Sequence, residues 1–263
     1  MKILKEILQN AIVWAKEAGE IQLKAFRSSS LDIQTKSNVH DVVTRIDKEC
    51  EQLLINRIHS KYPDHSIMGE ETGNHQASSD WQWIVDPLDG TNNYSQGLPI
   101  FTVSIGVEYK GETKVGVVFA PYLNELYTAV EGEGAFLNGK QIHVSEKNEL
   151  CRSVLATGFP YDKDINPDNN VDNVSRIVPL VRGLRRNGSA AYDLCLVAAG
   201  FLDGYWEFNL HIWDVCAAQL IVKEAGGKIE PFRENRGIAI IAANSSLLVK
   251  IRENLYLSAP ETI

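Results

Sequence analysis

The sequence predicts an α+β layered sandwich. Helical periodicity marks the N-terminal part, short strand patterns fill the middle, and a helix ending on paired glycines returns near the C-terminal end. Helices outside a β-rich centre must bury their apolar stripes on sheet faces, and that stacks layers.

Residues 3–26 carry Ile3, Ile7, Ala11, Trp14, Ala18, Ile21 and Ala25 at steps of three or four, which predicts an amphipathic helix. A second helix is predicted over 44–60, with Ile46, Cys50, Leu53, Leu54 and Ile58 facing inward. Thr44 and Asp47 stand at capping-box spacing at its start. Strands are predicted near 82–86, 101–109, 113–120, 125–131 and 134–144, the last folding back at Asn138-Gly139, a tight-turn signal. The polar run Ser145-Glu146-Lys147-Asn148-Glu149 divides the chain into an N-terminal α+β half (1–147) and a C-terminal α/β half (148–263). In the second half, 154–159 reads as a buried strand and 168–181 as a helix. Residues 188–200 read as a helix opened by Asn187-Gly188-Ser189, 204–208 as a strand, and 213–227 as a helix stopped by Gly226-Gly227.

Composition narrows the function. A chain of 263 residues, 44% hydrophobic and 23% charged, buries a sizeable core without disulfide staples. A formal charge of −8 argues against a broad nucleic-acid surface, which is basic. Cys50, Cys151, Cys195 and Cys216 are widely spaced with no CxxC pair, so buried free thiols in a reducing cytosol are expected. The N-terminal stretch carries charges throughout and lacks a signal-peptide core, and no apolar run approaches the roughly 20 residues of a membrane span. A cytoplasmic protein is expected.

Trp83 to Thr91 reads WIVDPLDGT: an apolar strand that ends on Asp86, then turns through Pro87 and Gly90 past Asp89. Carboxylates delivered together form a hard oxygen cluster suited to a hard cation such as Mg²⁺. Metal held this way most often serves phosphate chemistry. Three further segments set acids beside turns and apolar anchors: Asp41 and Asp47 in DVVTRID, Glu70 and Glu71 in a loop after a helix, and Asp214 at a helix start. Each alone has a plain structural reading. Asp214 and Asp47 suit helix caps, Glu70-Glu71 a solvated loop, and Asp86-Pro87 a turn initiator. Four coincidences together favour one shared site. His40, His59, His65, His75, His143 and His211 lie in no phosphatase histidine motif, and His211 is assigned a structural role.

Taken together these segments resemble the inositol monophosphatase family of lithium-sensitive, magnesium-dependent phosphatases. GEET resembles its G-E-E-[ST] loop and DPLDGTNNY its D-P-[IL]-D-G-T-x-N-[FY] signature. HIWDVCAAQLIVKEAGG resembles its W-D-x-A-A segment, and KSNVHDVVTRID its K-S-x-x-D-x-V-T-x-x-D segment. The resemblance covers nearly the whole chain. It implies the layered αβαβα sandwich of the sugar-phosphatase (fructose-1,6-bisphosphatase-like) type, two or three Mg²⁺ per site, and a homodimer. It implies that Asp86 bridges two Mg²⁺, that Glu70 and the Leu88 carbonyl complete the first ion's protein ligands, and that Asp89 and Asp214 hold the second. Thr91, bonded to Asp47, and Glu70 position the attacking water, with Glu71 and Lys36 in support. The amides of Gly90 and Thr91, beside Asp89, bind the phosphate. NGSAAYDL resembles the family's G-[ST]-A-A segment, so Gly188, Ser189 and Ala190 line the polyol pocket and Glu207 binds hydroxyls. The implied reaction is direct in-line attack of a metal-activated water on inositol 1-phosphate or a related small sugar or polyol phosphate.

Trp206 and Asn209 flank the polyol acid where many relatives carry other residues, and are expected to reshape the pocket. Arg185-Arg186 is read as a dimer-face pair ahead of a phosphate-steering patch. Fructose-1,6-bisphosphatase, NADP phosphatase and 3′-phosphoadenosine 5′-phosphate phosphatase share the site and stand as alternatives. A non-catalytic binding protein of the same fold is the alternative from another class. Neither nucleic acid nor a membrane is required by any of the enzymatic readings.

Overall fold

The computed structural model describes residues 2–28, 31–36, 40–234 and 236–257, and Ser37 of the KS segment lies outside them. Helices α1 (Lys2–Ala25) and α2 (Arg45–Lys61) form the first layer. Ile7, Ala11, Trp14 and Ala18 of α1 are buried as the periodicity requires. Ile3 is not: it is 44% exposed, and the adjacent Leu4 packs in its place. The expected cap of α2 is present, with Thr44 accepting from the Ile46 amide and the Asp47 carboxylate accepting from the Thr44 amide. A short antiparallel pair, β1 (Gln34–Thr35) and β2 (Val42–Val43), precedes it.

The second layer is an eight-stranded sheet. It contains β3 (Ser66–Gly69), β4 (Gly73–His75), β5 (Trp81–Asp89), β6 (Thr102–Tyr109), β7 (Glu112–Ala120), β8 (Glu125–Val130), β9 (Gly134–Leu137) and β10 (Lys140–Gln141). Its order is β10-β9-β8-β7-β6-β5-β3-β4, antiparallel except where β3 meets β5. A short helix α3 (Thr91–Ser95) follows β5. The predicted strand over 134–144 is two strands, because Asn138 and Gly139 both take positive φ and close a tight hairpin. Glu70 and Glu71 follow strand β3, not a helix, as the sequence reading had it; four residues of Ser-Ile-Met-Gly are too short to show a period.

The second sheet contains β11 (Val154–Thr157), β12 (Gly183–Arg185), β13 (Gly204–Leu210), β14 (Lys228–Pro231) and β15 (Ile238–Ala243), in the order β12-β11-β13-β15-β14. Helix α4 (Val171–Ile177) is shorter than predicted, since Pro179 cannot donate to a helix interior and the chain tightens to a 3₁₀ turn at Val178–Leu180. Helices α5 (Ala190–Ala198) and α6 (Ile212–Glu224) pack between the sheets, and α4 and α7 (Ser245–Glu253) cover the far face.

Alternation within single strands proves the layering. Val117 joins the core under α1 and α2, while Val118 joins the core around α5 and α6. Ile240 and Ala242 face that central core, and Ile241 and Ala243 face the core of α4 and α7. The architecture is therefore an αβαβα sandwich. Helix α6 lies unusually close to the first sheet: a Cβ built on Gly106 would sit 2.4 Å from Cys216 Sγ, and one on Gly116 would sit 2.4 Å from the Ala217 carbonyl oxygen. Cys50, Cys195 and Cys216 are buried free thiols; Cys151, on an exposed 3₁₀ turn, is not buried as expected. No described helix is long and apolar enough to cross a membrane.

Candidate active site

Strand β5 carries its buried Trp83-Ile84-Val85 run straight into the acids. Its register with β6 shifts between Asp86, opposite Ser104, and Asp89, opposite Thr102. A bulge of this kind re-aims the side chains beside it. Asp86 is buried at 2% exposure, and its Oδ1 accepts from the Leu88 amide at 2.9 Å. Asp89 Oδ2 accepts from Ser189 Oγ at 2.6 Å and from the Ala191 amide at 2.8 Å, so the start of α5 is tied to the end of β5. Asp214 is the third residue of α6, in a reciprocal cap with His211, whose amide donates to Asp214 Oδ2 at 2.7 Å.

Asp47 is fully buried behind these acids. The Thr91 hydroxyl lies 2.9 Å from Asp47 Oδ1 and 2.9 Å from the Leu88 carbonyl oxygen. Thr44 donates to Asp47 Oδ2 from its hydroxyl at 2.6 Å and from its amide at 2.8 Å. Lys36 Nζ reaches Glu70 Oε1 at 2.7 Å and Glu71 Oε1 at 2.5 Å.

The electrostatics show crowding. Desolvation, then Glu70, Asp89 and Asp214, push the Asp86 carboxyl well above its ordinary range. Desolvation and Asp89 do the same to Asp214. Glu70 is raised to about 7 by desolvation, with Lys36 opposing and Glu71 and Asp47 assisting. Asp89 and Asp47 are raised by burial against the donors that hold them. The Lys36 ammonium is held charged because Glu70 and Glu71 outweigh its own burial. Buried carboxyls crowded in this way need protons to offset their mutual repulsion. A divalent cation meets the same need, and an all-oxygen donor set suits a hard one. The residues therefore fit a metal. Among the described residues, no three His, Cys, Asp or Glu side chains already stand in a closed ligand cage. The hydrogen bonds named above instead hold one oxygen of each acid on the protein.

A cleft of about 190 Å³ opens over this floor. Lys36, Asp41, Glu70, Asp89, Gly188, Ser189, Ala190, Glu207 and Asp214 line it. Asp86, Leu88, Gly90, Thr91, Asp47 and Glu71 lie beneath or beside it and do not form its lining. Glu207 is raised to about 7 by desolvation, against the Tyr205 hydroxyl that donates to its Oε2 at 2.5 Å.

One sequence reading needs correction, and others gain detail. Trp206 does not shape the pocket: its indole is fully buried in the α4 and α7 core, and Nε1 donates to Asn170 Oδ1 at 2.9 Å. Asn209 does line it. Arg186 also lines the cleft, while Arg185 is exposed on the edge strand β12. His211, assigned a structural role, both caps α6 and lines the cleft, stacked on Trp213 at 4.8 Å. The sequence reading missed the wall formed by Phe159, Pro160 and Tyr161, an irregular segment with no periodic signal. It also missed Glu51, which reads as an ordinary helix-surface charge.

A five-layer sandwich with acids gathered under a cleft defines the layered sugar-phosphatase fold class. A family model described as the inositol monophosphatase family matches residues 3–256. The chain belongs to that family. The Nus factor SuhB of Pasteurella multocida is 44% identical over 231 residues, covering 87% of this chain and 86% of the relative. The extragenic suppressor protein suhB from Bartonella henselae overlays with a TM-score of 0.87 at 33% identity, covering 95% of this chain and 98% of that one. The inositol monophosphatase from Anabaena (Nostoc) sp. PCC 7120 overlays with a TM-score of 0.84 at 35% identity, covering 95% of each chain.

Proposed function

We propose that this chain is a Mg²⁺-dependent phosphomonoesterase acting on inositol 1-phosphate or a related small polyol phosphate. The observation that carries the reading is that Glu70, Asp89 and Asp214 line one cleft together with Glu207, with the buried Asp86 close enough to feel the first three. Glu70, Asp86 and the Leu88 carbonyl would hold one Mg²⁺, Asp89 and Asp214 a second, with a weaker third ion near Glu70. Bound Mg²⁺ supplies Lewis-acid stabilisation of the charge that builds on the transferring phosphoryl group.

The chain's own groups do the rest. Asp47 takes the Thr91 hydroxyl proton into a hydrogen bond, which leaves the Thr91 oxygen to accept from the attacking water. Glu70, in the loop after β3, positions the same water. The amides of Gly90 and Thr91 meet the phosphate oxygens. Glu207 accepts bonds from the polyol hydroxyls, and Tyr205 fixes its orientation. A homodimer, a cytoplasmic location and inhibition by millimolar Li⁺ follow from family membership as part of this proposal.

The test is turnover by the purified chain, with and without Mg²⁺, over a panel of inositol 1-phosphate, fructose 1,6-bisphosphate, NADP and 3′-phosphoadenosine 5′-phosphate. Preference for the first supports the reading; preference for another moves the substrate within the same site. The Pasteurella relative's name, Nus factor SuhB, favours a second reading in which the chain acts through a binding partner. No turnover of any panel member under saturating Mg²⁺ would sink the phosphatase reading and leave that one.

A further inference from the structure

We propose that Glu51, on α2, is the positioning residue that fixes the Glu70-Glu71 loop, a role that rests on the phosphatase reading above. Glu51 is fully buried. Its Oε2 accepts from the Glu71 amide at 2.9 Å, and its Oε1 accepts from the Thr72 amide at 2.7 Å. Two successive amides aimed at one carboxylate is how backbone captures an anion, and here the anion belongs to the chain itself. Such charge-assisted bonds are stronger than neutral ones, and deleting the acceptor strands two donors.

The fit leaves no slack. A Cβ built on Gly69, the last residue of β3, would lie 2.6 Å from Glu51 Oε2. The strand end, the loop and the acid are therefore packed in direct contact. Asp47 precedes Glu51 by one helical turn, so both lie on one face of α2. One helix face thus holds Thr91 through Asp47 and the Glu70 loop through Glu51. Lys36 also grips the loop, but from a side chain 24% exposed, where a bond restrains less. Glu51 is the buried restraint.

The fold contains the same device elsewhere, which supplies a control. Glu224, in the last turn of α6, accepts from the Gly132 and Gly134 amides, each at 2.8 Å, at a hairpin outside the cleft.

The experiment compares Glu51→Gln and Glu224→Gln in the full chain. Glutamine keeps the size but sets an N–H₂ against one of the two amides. For Glu51→Gln, hydrogen exchange should accelerate at least about ten-fold in peptides spanning 69–73, with the rest of α2 unchanged. Mg²⁺ affinity by calorimetry and kcat should each fall about ten-fold with KM nearly constant, the size typical of a lost supporting hydrogen bond. Glu224→Gln should loosen only 131–135 and leave Mg²⁺ affinity and kcat unchanged. Wild-type exchange at 69–73 in Glu51→Gln overturns the proposal. So does a loosened loop with unchanged Mg²⁺ affinity and kcat. Should the wild type itself neither bind Mg²⁺ nor turn over a phosphomonoester, the phosphatase reading fails separately, and the exchange arm still decides whether Glu51 holds the loop. If Glu51→Gln does not fold, Glu51→Asp keeps the charge, withdraws it by one methylene and carries the same expectations.

Discussion

The acid cluster and the 158–170 segment of the cleft differ in how far away in sequence their holding partners lie. Among the acids, Asp47 is fixed by Thr44 and Asp86 by the Leu88 amide, neighbours two or three residues away, while Asp89 is held by Ser189 and the Ala191 amide from the start of α5. Asp214, on α6, is held from three residues away by His211. In the 158–170 segment the fixing partners are distant in sequence. Arg236 clamps Asp162 with paired bonds of 2.8 and 2.9 Å, and Arg233 pairs with the buried Asp168, tying the 158–170 segment to the 232–237 loop. Anchoring that is mostly short-range suits groups that must hold fixed charge against their mutual repulsion. Long-range anchoring suits a wall whose shape selects the molecule that enters. The comparison teaches that chemistry and recognition are separable here, and that substitutions in each should affect different kinetic constants.

The largest effect should come from the acid cluster. Asp89→Asn is expected to lower kcat by at least about 100-fold, above the 10–100-fold typical of losing a group that only supports a ligand. Its melting temperature in a chelator should hold or rise, because burying this carboxylate ionised is unfavourable in the folded chain. Activity assays and thermal melts on the same preparation check both. Near-full activity would dissolve the distinction between the acid cluster and the rest of the cleft.

A smaller effect is expected from the polyol-binding acid. Glu207→Gln should raise KM for inositol 1-phosphate about ten-fold, the order of one lost hydrogen bond to a charged group. Hydrolysis of p-nitrophenyl phosphate, which offers no polyol hydroxyl, should change little. Equal losses on both substrates would show that Glu207 serves the chemistry and not the choice of substrate.

The same contrast explains what the sequence made legible. The run Trp83-Ile84-Val85 followed by Asp86 and Asp89 announces a strand delivering acids, and the Thr44/Asp47 spacing announces a cap; both are local patterns. Ser189 was readable as a helix opener and does cap α5 by accepting from the Tyr192 amide. The segment from Lys228 to Glu253 drew no reading, though it holds β14, β15 and α7. Its apolar run Ile238–Ala243 is buried on both faces and lacks the alternation that marks a half-buried strand. Phe159 to Tyr161 had no signal because their place depends on Arg236 and Asp162, seventy-four residues apart. Glu51 was invisible for another reason: burial of a helix glutamate depends on amides that only the folded β3–β4 loop brings to it.

The subtlest separation of the acid cluster from Glu207 is by pH. The carboxyls of Glu70 and Glu207 are each raised from 4.5 to about 7. Between those values the folded chain binds more protons than the unfolded one, so stability falls as pH rises. The stabilising contribution is complete below 4.5 and lost once pH passes about 7. The melting temperature in a chelator should therefore decline across this window, relative to a variant lacking the group concerned. Saturating Mg²⁺ should remove the part that belongs to Glu70 and Asp86, because a bound cation requires their deprotonated form and offsets its charge. The part that belongs to Glu207 should persist in Mg²⁺ and vanish in Glu207→Gln. A decline untouched by Mg²⁺ would mean that the cluster's acids are held apart by protons alone, and a decline wholly erased by Mg²⁺ would mean that Glu207 belongs with them.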